Sequence, residues 1–234
     1  MSFNRSVTLA RVVAYLNGMR ASQAITVVVS RAIVTLCIEP FSTLYARIML
    51  NLWGAAVGSQ LRVAGRLRLH VEGSLSIGVN VTINSGSANN YVGGDRRMSM
   101  WVGRRGALKI EDGCKLSNST IVCLRRVTVL RDTYVGGGCN IFDTDFHAVD
   151  AESRARGAAS VPCGDVTIGP AAFVGAGCTI LKHVCIGEGA VVGAGSLVTG
   201  RIPPFEVWAG VPAKRIKSLA HGDRSKTPGG EHEV

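Results

Sequence analysis

Between Ile168 and Val198 the chain reads IGPAAFVGAGCTILKHVCIGEGAVVGAGSLV, and an aliphatic residue returns at every sixth position: Ile168, Val174, Ile180, Ile186, Val192 and Val198. Neither a helix nor an ordinary strand has that period. Glycine follows four of these anchors directly, at Gly169, Gly175, Gly187 and Gly193. A small or β-branched residue lies four places after most of them, at Ala172, Cys178, Val184, Ala190 and Ser196. The pattern describes a short strand turned at a corner, where glycine or a small residue relaxes the backbone, and then repeated. Each anchor points inward, and stacked coils bury the anchors in a column while backbone groups pair with the coils above and below. A single hexad has nothing to bury itself against.

Upstream the period continues with interruptions. Leu69, Leu75 and Val81 share it, as does the parallel set Val71, Ile77 and Ile83; Ile110, Leu116 and Val122 follow, then Val135 and Ile141. The register slips at the polar, glycine-rich stretch Asn84 to Met100 and again at Phe142 to Asp165. Insertions in a solenoid emerge as loops, often on the binding face, so chemistry is expected there. Cys114, Cys139 and Cys178 each lie four residues after an anchor, where a small apolar group packs. No cysteine spacing resembles a zinc site.

Composition agrees with a folded chain of many tight corners. The 234 residues are 47% hydrophobic and 18% charged, with 29 glycines, 7 prolines and 6% aromatics, which excludes disordered and collagen-like classes. Lysine and arginine number 26 against 16 acidic residues, a net charge of +10 that suggests an anionic partner. Nucleic acid is disfavoured, because the basic residues are dispersed and no aromatic platform interleaves them. The seven cysteines form no CxxC pair and no charged-then-apolar leader opens the chain, so a reducing cytoplasm fits. The apolar stretch Ala24 to Ile38 is interrupted by Ser30 and Arg31 and falls short of the roughly twenty residues that span a membrane. With the block Phe41 to Val57 it reads as two helices joined at Glu39-Pro40. This helical segment either caps the open end of the coil or, with Arg5, Arg11, Arg20, Arg31 and Arg47, touches the inner membrane face or a glycan-assembly partner.

From residue 60 to 217 the chain resembles the hexapeptide-repeat acyltransferases. The resemblance is carried by Ile180-Leu181-Lys182-His183-Val184-Cys185-Ile186-Gly187, by Val192-Gly193-Ala194-Gly195-Ser196-Leu197-Val198-Thr199, by Ile202-Pro203-Pro204 and by Ala209-Gly210-Val211-Pro212-Ala213-Lys214. It implies an all-β main domain, a left-handed parallel β-helix over 59–217 with insertions at 84–100 and 142–165. A helical N-terminal segment, 1–58, precedes it, and a short C-terminal helix or mobile polar tail, 218–234, follows. The segment Phe142-Asp143-Thr144-Asp145-Phe146-His147-Ala148-Val149-Asp150 is similar to the active-site loop of the sugar-acetylating branch, related to galactoside and nodulation-factor acetyltransferases. That similarity implies His147 as the catalytic base, acetyl-coenzyme A as cosubstrate and a homotrimer with its sites between subunits. Carried over position by position, coenzyme contacts fall at Ala176, Ala194, Thr199 and Lys217. Relatives carry lysine after the threonine; here Gly200 and Arg201 follow, which moves the phosphate contact to Arg201, Lys214 or Arg215. Phe173 stands where relatives place tryptophan.

Acetyl transfer to a hydroxyl needs a group that removes a proton as the acceptor attacks the thioester, and an imidazole suits the task. A thiolate leaves well enough that no covalent enzyme intermediate is required, and a corner N–H would meet the developing oxyanion. Asp143 or Asp145 would hold the second ring nitrogen of His147; Asp145, two residues away, shares its face in an extended loop. Turn formation through side-chain to backbone bonds explains either aspartate equally well. His183 falls at a corner, His70 in a strand-like segment, and His221 and His232 in the tail; three histidine ligands cannot be assembled, so no metal is expected. The insertion carrying Asn84, Asn89, Asn90, Tyr91, Asp95, Arg96 and Arg97 suits a carbohydrate or a subunit contact. Asn84, Tyr91 and Arg154 are the expected substrate contacts. The expected activity is O-acetylation of a sugar in a surface polysaccharide or its precursor. The alternatives are N-acetylation of an amino-sugar nucleotide or xenobiotic, and a non-catalytic scaffold for acidic polymers or membrane.

Overall fold

A computed structural model describes residues 39–90, 92–156 and 161–219. Residues from Ser42 onward form one unit. Three parallel sheets make its walls, and the chain visits them in rotation. The first face stacks Ala56–Val57, Ser74–Ile77, Ala107–Ile110, Arg126–Val129, Val166–Ile168 and Cys185–Ile186. The second stacks Arg62–Ala64, Thr82–Asn84, Lys115–Ser117, Tyr134–Val135, Phe173–Val174 and Val191–Val192. The third stacks Arg68–Val71, Ser99–Val102, Thr120–Cys123, Asn140–Phe142, Thr179–Ile180 and Leu197–Val198. This is the left-handed parallel β-helix of the expected class, six coils long.

The anchors stack in register. On the second face Val63, Ile83, Leu116, Val135, Val174 and Val192 are successive ladder partners, all buried. On the first face Ile77, Ile110, Val129, Ile168 and Ile186 do the same, and Ile202 closes over Ile186. Both upstream series are anchors, because four-residue strands turn two alternating side chains inward: Leu75 and Ile77 are both buried. One expected anchor is corrected. Val122 pairs on the outer side of the third face with Trp101 and Phe142, while Ile121 takes the inward place against Met100 and Ile141. At the corner before it, where Asn118 adopts the left-handed conformation at φ 41°, five residues separate Leu116 from Ile121 where six separate Val135 from Ile141.

The N-terminal end is closed by α1, Glu39–Leu52, with Pro40 in its first turn. Ala46 and Leu50 bury themselves in the core. The helix ends earlier than the sequence suggests, since Ala56 and Val57 already belong to the first coil and pair with Ser76 and Ile77. The first of the two expected helices lies outside the described residues, as do Tyr91 and the tail from 220. At the other end Glu206–Gly210 adds a parallel strand to the second face, and Ala213–Ser218 returns antiparallel beside it.

The two insertions leave from different corners. Residues 85–98 project where the second face turns into the third, and residues 143–165 where the third turns into the first. The first insertion folds down along its corner. Asn118, fully buried, accepts from the Gly86 N–H and donates to the carbonyls of Asn90 and Val92.

Candidate active site

The His147 loop is built from its base outward. Asp143, fully buried, follows Phe142 at the end of the third-face strand. Its two carboxylate oxygens accept the Leu124 and Arg125 backbone N–H groups of the preceding coil at 2.8 and 2.7 Å. Thr144 bridges Cys163, the Asp145 N–H reaches the Pro162 carbonyl, and Gly164 donates to the Asp143 carbonyl, so outgoing and returning strands are tied together. Beyond this neck Phe146 takes φ 64° and lays its ring edge-on against Phe142, centroids 5.1 Å apart. The ring is anchored to the third face by that contact, and His147 comes next, exposed.

Past His147 the chain turns into the short helix α2, Ala151–Ala155, capped by Asp150. The Ser153 N–H donates to this carboxylate and holds Asp150 below the usual carboxylate range. Arg154 donates through one nitrogen to the carbonyls of Ala148 and Val149, at 3.0 and 2.8 Å. It therefore braces the backbone directly after His147.

Asp143 and Asp145 do not reach the imidazole. Among the described residues His147 has no hydrogen-bond partner, Asp143 is committed to the corner, and Asp145 accepts from Lys182 Nζ at 2.7 Å. The Asp143 bonds go from side chain to backbone, but they run to the preceding coil and not to its own turn. Lys182 lies one coil further on at the same corner, and both partners are about a quarter exposed, at 27% and 28%. This pair clips the loop to the coil beneath it, and sequence reasoning missed it; a lysine at a hexad corner was its only signal. Replacing Lys182 by methionine should release the loop, lowering turnover about tenfold with little change in melting temperature, since a partly exposed pair contributes roughly 1 kcal/mol or less. Steady-state kinetics beside a thermal melt checks both halves.

The expected coenzyme residues divide into three groups. Ala176 and Ala194 stack on the second-to-third corner in successive coils, and the Gly195 N–H donates to the Ala176 carbonyl. A Cβ at Gly175 would stand 2.6 Å from the Ala194 nitrogen, so that corner admits only glycine there. Ala209 continues the column over Gly193, and Ala209 pairs with Lys214 on the returning strand. Lys214 and Lys217 are exposed, whereas Arg215 binds Glu206 at 2.9 Å. The Trp208 indole and then Arg215 hold Glu206 below the usual carboxylate range. Thr199 and Arg201 lie at the third-to-first corner, on the His147 side. Among the described residues Arg201, Lys214 and Lys217 have no carboxylate partner.

Asn84 stands at the second-to-third corner, where its amide donates to the Ser117 hydroxyl. The whole width of the third face separates it from the His147 corner within one chain. The outer side of that face carries two columns of ladder partners, His70, Trp101, Val122 and Phe142 in one and the polar Arg68, Ser99, Thr120 and Asn140 in the other. A groove of about 610 Å³ lies over it, lined by Arg68, His70, Trp101, Thr120 and Val122 among others. Burial pushes the Cys114 thiol up to about 11 and the Cys123 thiol up to about 12, so neither supplies a thiolate nucleophile. No group of residues able to hold a metal ion occurs among the described residues.

A six-coil β-helix with a protruding histidine loop defines a class, and the chain belongs to it: it is a member of the hexapeptide-repeat transferase family, an acyltransferase. Residues 165–200 match the family described as bacterial transferase hexapeptide (six repeats). Over 159 residues the chain is 31% identical to the putative lipopolysaccharide biosynthesis O-acetyl transferase WbbJ of Escherichia coli, covering 64% of this chain and 74% of that protein. It is 37% identical to the galactoside O-acetyltransferase of Escherichia coli over 110 residues, 47% of this chain and 51% of that one. A hexapeptide-repeat acetyltransferase of Vibrio cholerae, solved with acetyl-coenzyme A, shares the fold at a TM-score of 0.52 and 18% identity, over 85% of this chain and 90% of the other.

Proposed function

We propose that the chain transfers the acetyl group of acetyl-coenzyme A to a hydroxyl of a surface polysaccharide or its precursor, with His147 as general base. The observation that carries this reading is the construction of the loop: a neck closed by Asp143, Thr144 and Cys163, clipped by Lys182 and braced by Arg154, presents an exposed imidazole with no hydrogen-bond partner among the described residues. The kinship with a putative lipopolysaccharide O-acetyl transferase and a galactoside O-acetyltransferase supports a sugar hydroxyl as acceptor. His147 takes the hydroxyl proton as the oxygen adds to the thioester carbon, and the proton then goes to the departing thiolate sulfur.

The residues present suit the coenzyme. A corner of alanines and glycines lets a narrow pantetheine arm lie against backbone N–H and C=O groups, and the track ends at Lys214 and Lys217, which would meet phosphates. Ala176 and Ala194 would lie along the arm, with Arg201 and Thr199 serving the neighbouring copy's side of the groove.

The working unit of this proposal is a homotrimer. Asn84 and His147 occupy opposite edges of the third face, so copies packed through its Trp101, Val122 and Phe142 column would bring one copy's Asn84 corner toward the next copy's imidazole. Trp101→Arg should therefore convert a trimer to monomers in light scattering and lower activity at least about tenfold, while the melt of the coil stays close to the parent. A monomeric parent would sink the trimer. The activity itself is tested by following thiol release from acetyl-coenzyme A with O-antigen-type oligosaccharides, then asking whether the product is an ester, lost in mild base, or an amide. Acetyl-coenzyme A turnover with no sugar acceptor, or an amide product, overturns the reading.

A further inference from the structure

The outer side of α1 is apolar where a surface helix is ordinarily polar. At 3.6 residues per turn Phe41, Leu44, Tyr45, Ile48 and Leu52 fall on one stripe, and Ala46 and Leu50 on the opposite side. The buried side faces the core, Ala46 and Leu50 being 1% and 0% exposed. The stripe is open: Phe41 is 73% exposed, Leu44 57%, Tyr45 46%, Ile48 50% and Leu52 76%. Packing inside the coil therefore does not account for these five residues. Thr43 and Arg47 fix the helix against the first coil, through the Thr43 hydroxyl with Val63 and the Arg47 guanidinium on the Gly58 carbonyl. The stripe is thus held facing outward.

The charge around it is mainly positive. From Glu39 to Glu72 the chain carries Arg47, Arg62, Arg66 and Arg68 against the carboxylates of Glu39 and Glu72. Arg62, Arg66 and Arg68 are exposed on the first coil, and the Arg66 guanidinium stands 5.9 Å from the Tyr45 ring centroid, beside the stripe. Exposed aliphatic and aromatic side chains rimmed by arginines match a surface that is apolar beneath and anionic above, the acyl and headgroup layers of a lipid bilayer. A second copy of the chain would bring the same four arginines against themselves. Among the described residues no helix is long and apolar enough to cross a membrane, so the contact is one of lying on the surface.

We propose that the α1 end of the β-helix docks onto an anionic lipid surface, with Phe41, Leu44, Ile48 and Leu52 entering the acyl boundary and Arg62 and Arg66 paired to headgroup phosphates. The proposal stands apart from the acetyl-transfer reading. The coil axis then stands away from the membrane, and the His147 loop lies three coils above it.

The full chain is sedimented with vesicles of phosphatidylglycerol and phosphatidylcholine, and with phosphatidylcholine alone. It should sediment with the anionic vesicles, progressively less as salt is raised, and not with the neutral ones. The triple variant Leu44→Ser, Ile48→Ser, Leu52→Ser should abolish sedimentation. The double variant Arg62→Gln, Arg66→Gln should weaken it roughly thirtyfold, from the contribution of two basic groups near a charged surface. Circular dichroism and thiol release with a soluble acceptor show that the arginine variant is folded. Failure of the parent to sediment, equal sedimentation with neutral vesicles, or unchanged binding in both variants overturns the proposal. So does a triple variant that changes oligomeric mass and leaves vesicle binding intact, because the stripe would then belong to a protein contact.

Discussion

Replacing His147 by alanine should lower acetyl transfer by about 10²- to 10⁴-fold, the usual contribution of a positioned base, while coenzyme A binding and the melting curve stay unchanged. The separation follows from location. The imidazole is exposed and bonded to nothing among the described residues, so truncating it breaks no packing and orphans no buried group. The small-residue corner and the lysines assigned to the coenzyme belong to other coils and another corner. Calorimetry with coenzyme A, beside turnover with a glycan acceptor, reads both quantities on one preparation. A variant that retained full turnover would remove His147 from the mechanism, and one that lost coenzyme binding would move the loop into the binding groove.

The second large effect is expected at Asp143, and in stability. Asp143→Ala removes a fully buried carboxylate that accepts two backbone N–H groups, those of Leu124 and Arg125. A hydrogen bond to a charged acceptor contributes about 1.5–3 kcal/mol, so the pair amounts to roughly 3–6 kcal/mol. For a chain of this size about 1 kcal/mol shifts the melting temperature by roughly 2–4 °C, which predicts a fall near 10 °C. Asp143→Asn retains one acceptor oxygen and should recover about half. The loop neck starts at this residue, so activity should fall with the fold in both variants. If Asp143→Ala melted like the parent while its activity lost dependence on pH, the carboxylate would act on the imidazole instead of the corner.

The coil itself was legible because its cause is local and periodic. A hexad anchor points inward in every coil, and nothing outside the repeat can change that, so Ile168 through Val198 read correctly from spacing alone. The error at Val122 shows the limit of that logic: a corner shortened by one residue at Asn118 turns Ile121 inward in its place, and no pattern in the surrounding aliphatic run Ile121-Val122-Cys123 marks the change. The candidate site was legible only in part. His147 stood out through the segment around it. The partners of the two aspartates did not, because Leu124, Arg125 and Lys182 are 18 to 37 residues distant and become neighbours only through coil stacking. Arg154, expected as a substrate contact, braces Ala148 and Val149, a local contact made by the turn into α2 that the residue types alone did not mark.

The antiparallel return of Ala213–Ser218 has a consequence for solubility. Coils of equal pitch present, at their last rung, a row of unpaired amides and carbonyls on which another molecule's first rung could register, and a self-propagating rod would follow. On the second face the antiparallel strand replaces the parallel edge on which such a rung would register, and Lys214, Arg215 and Lys217 place positive charge along it. Shortening the protein before Ala213 would thus leave the parallel strand Glu206–Gly210 as an open edge for a second molecule to extend.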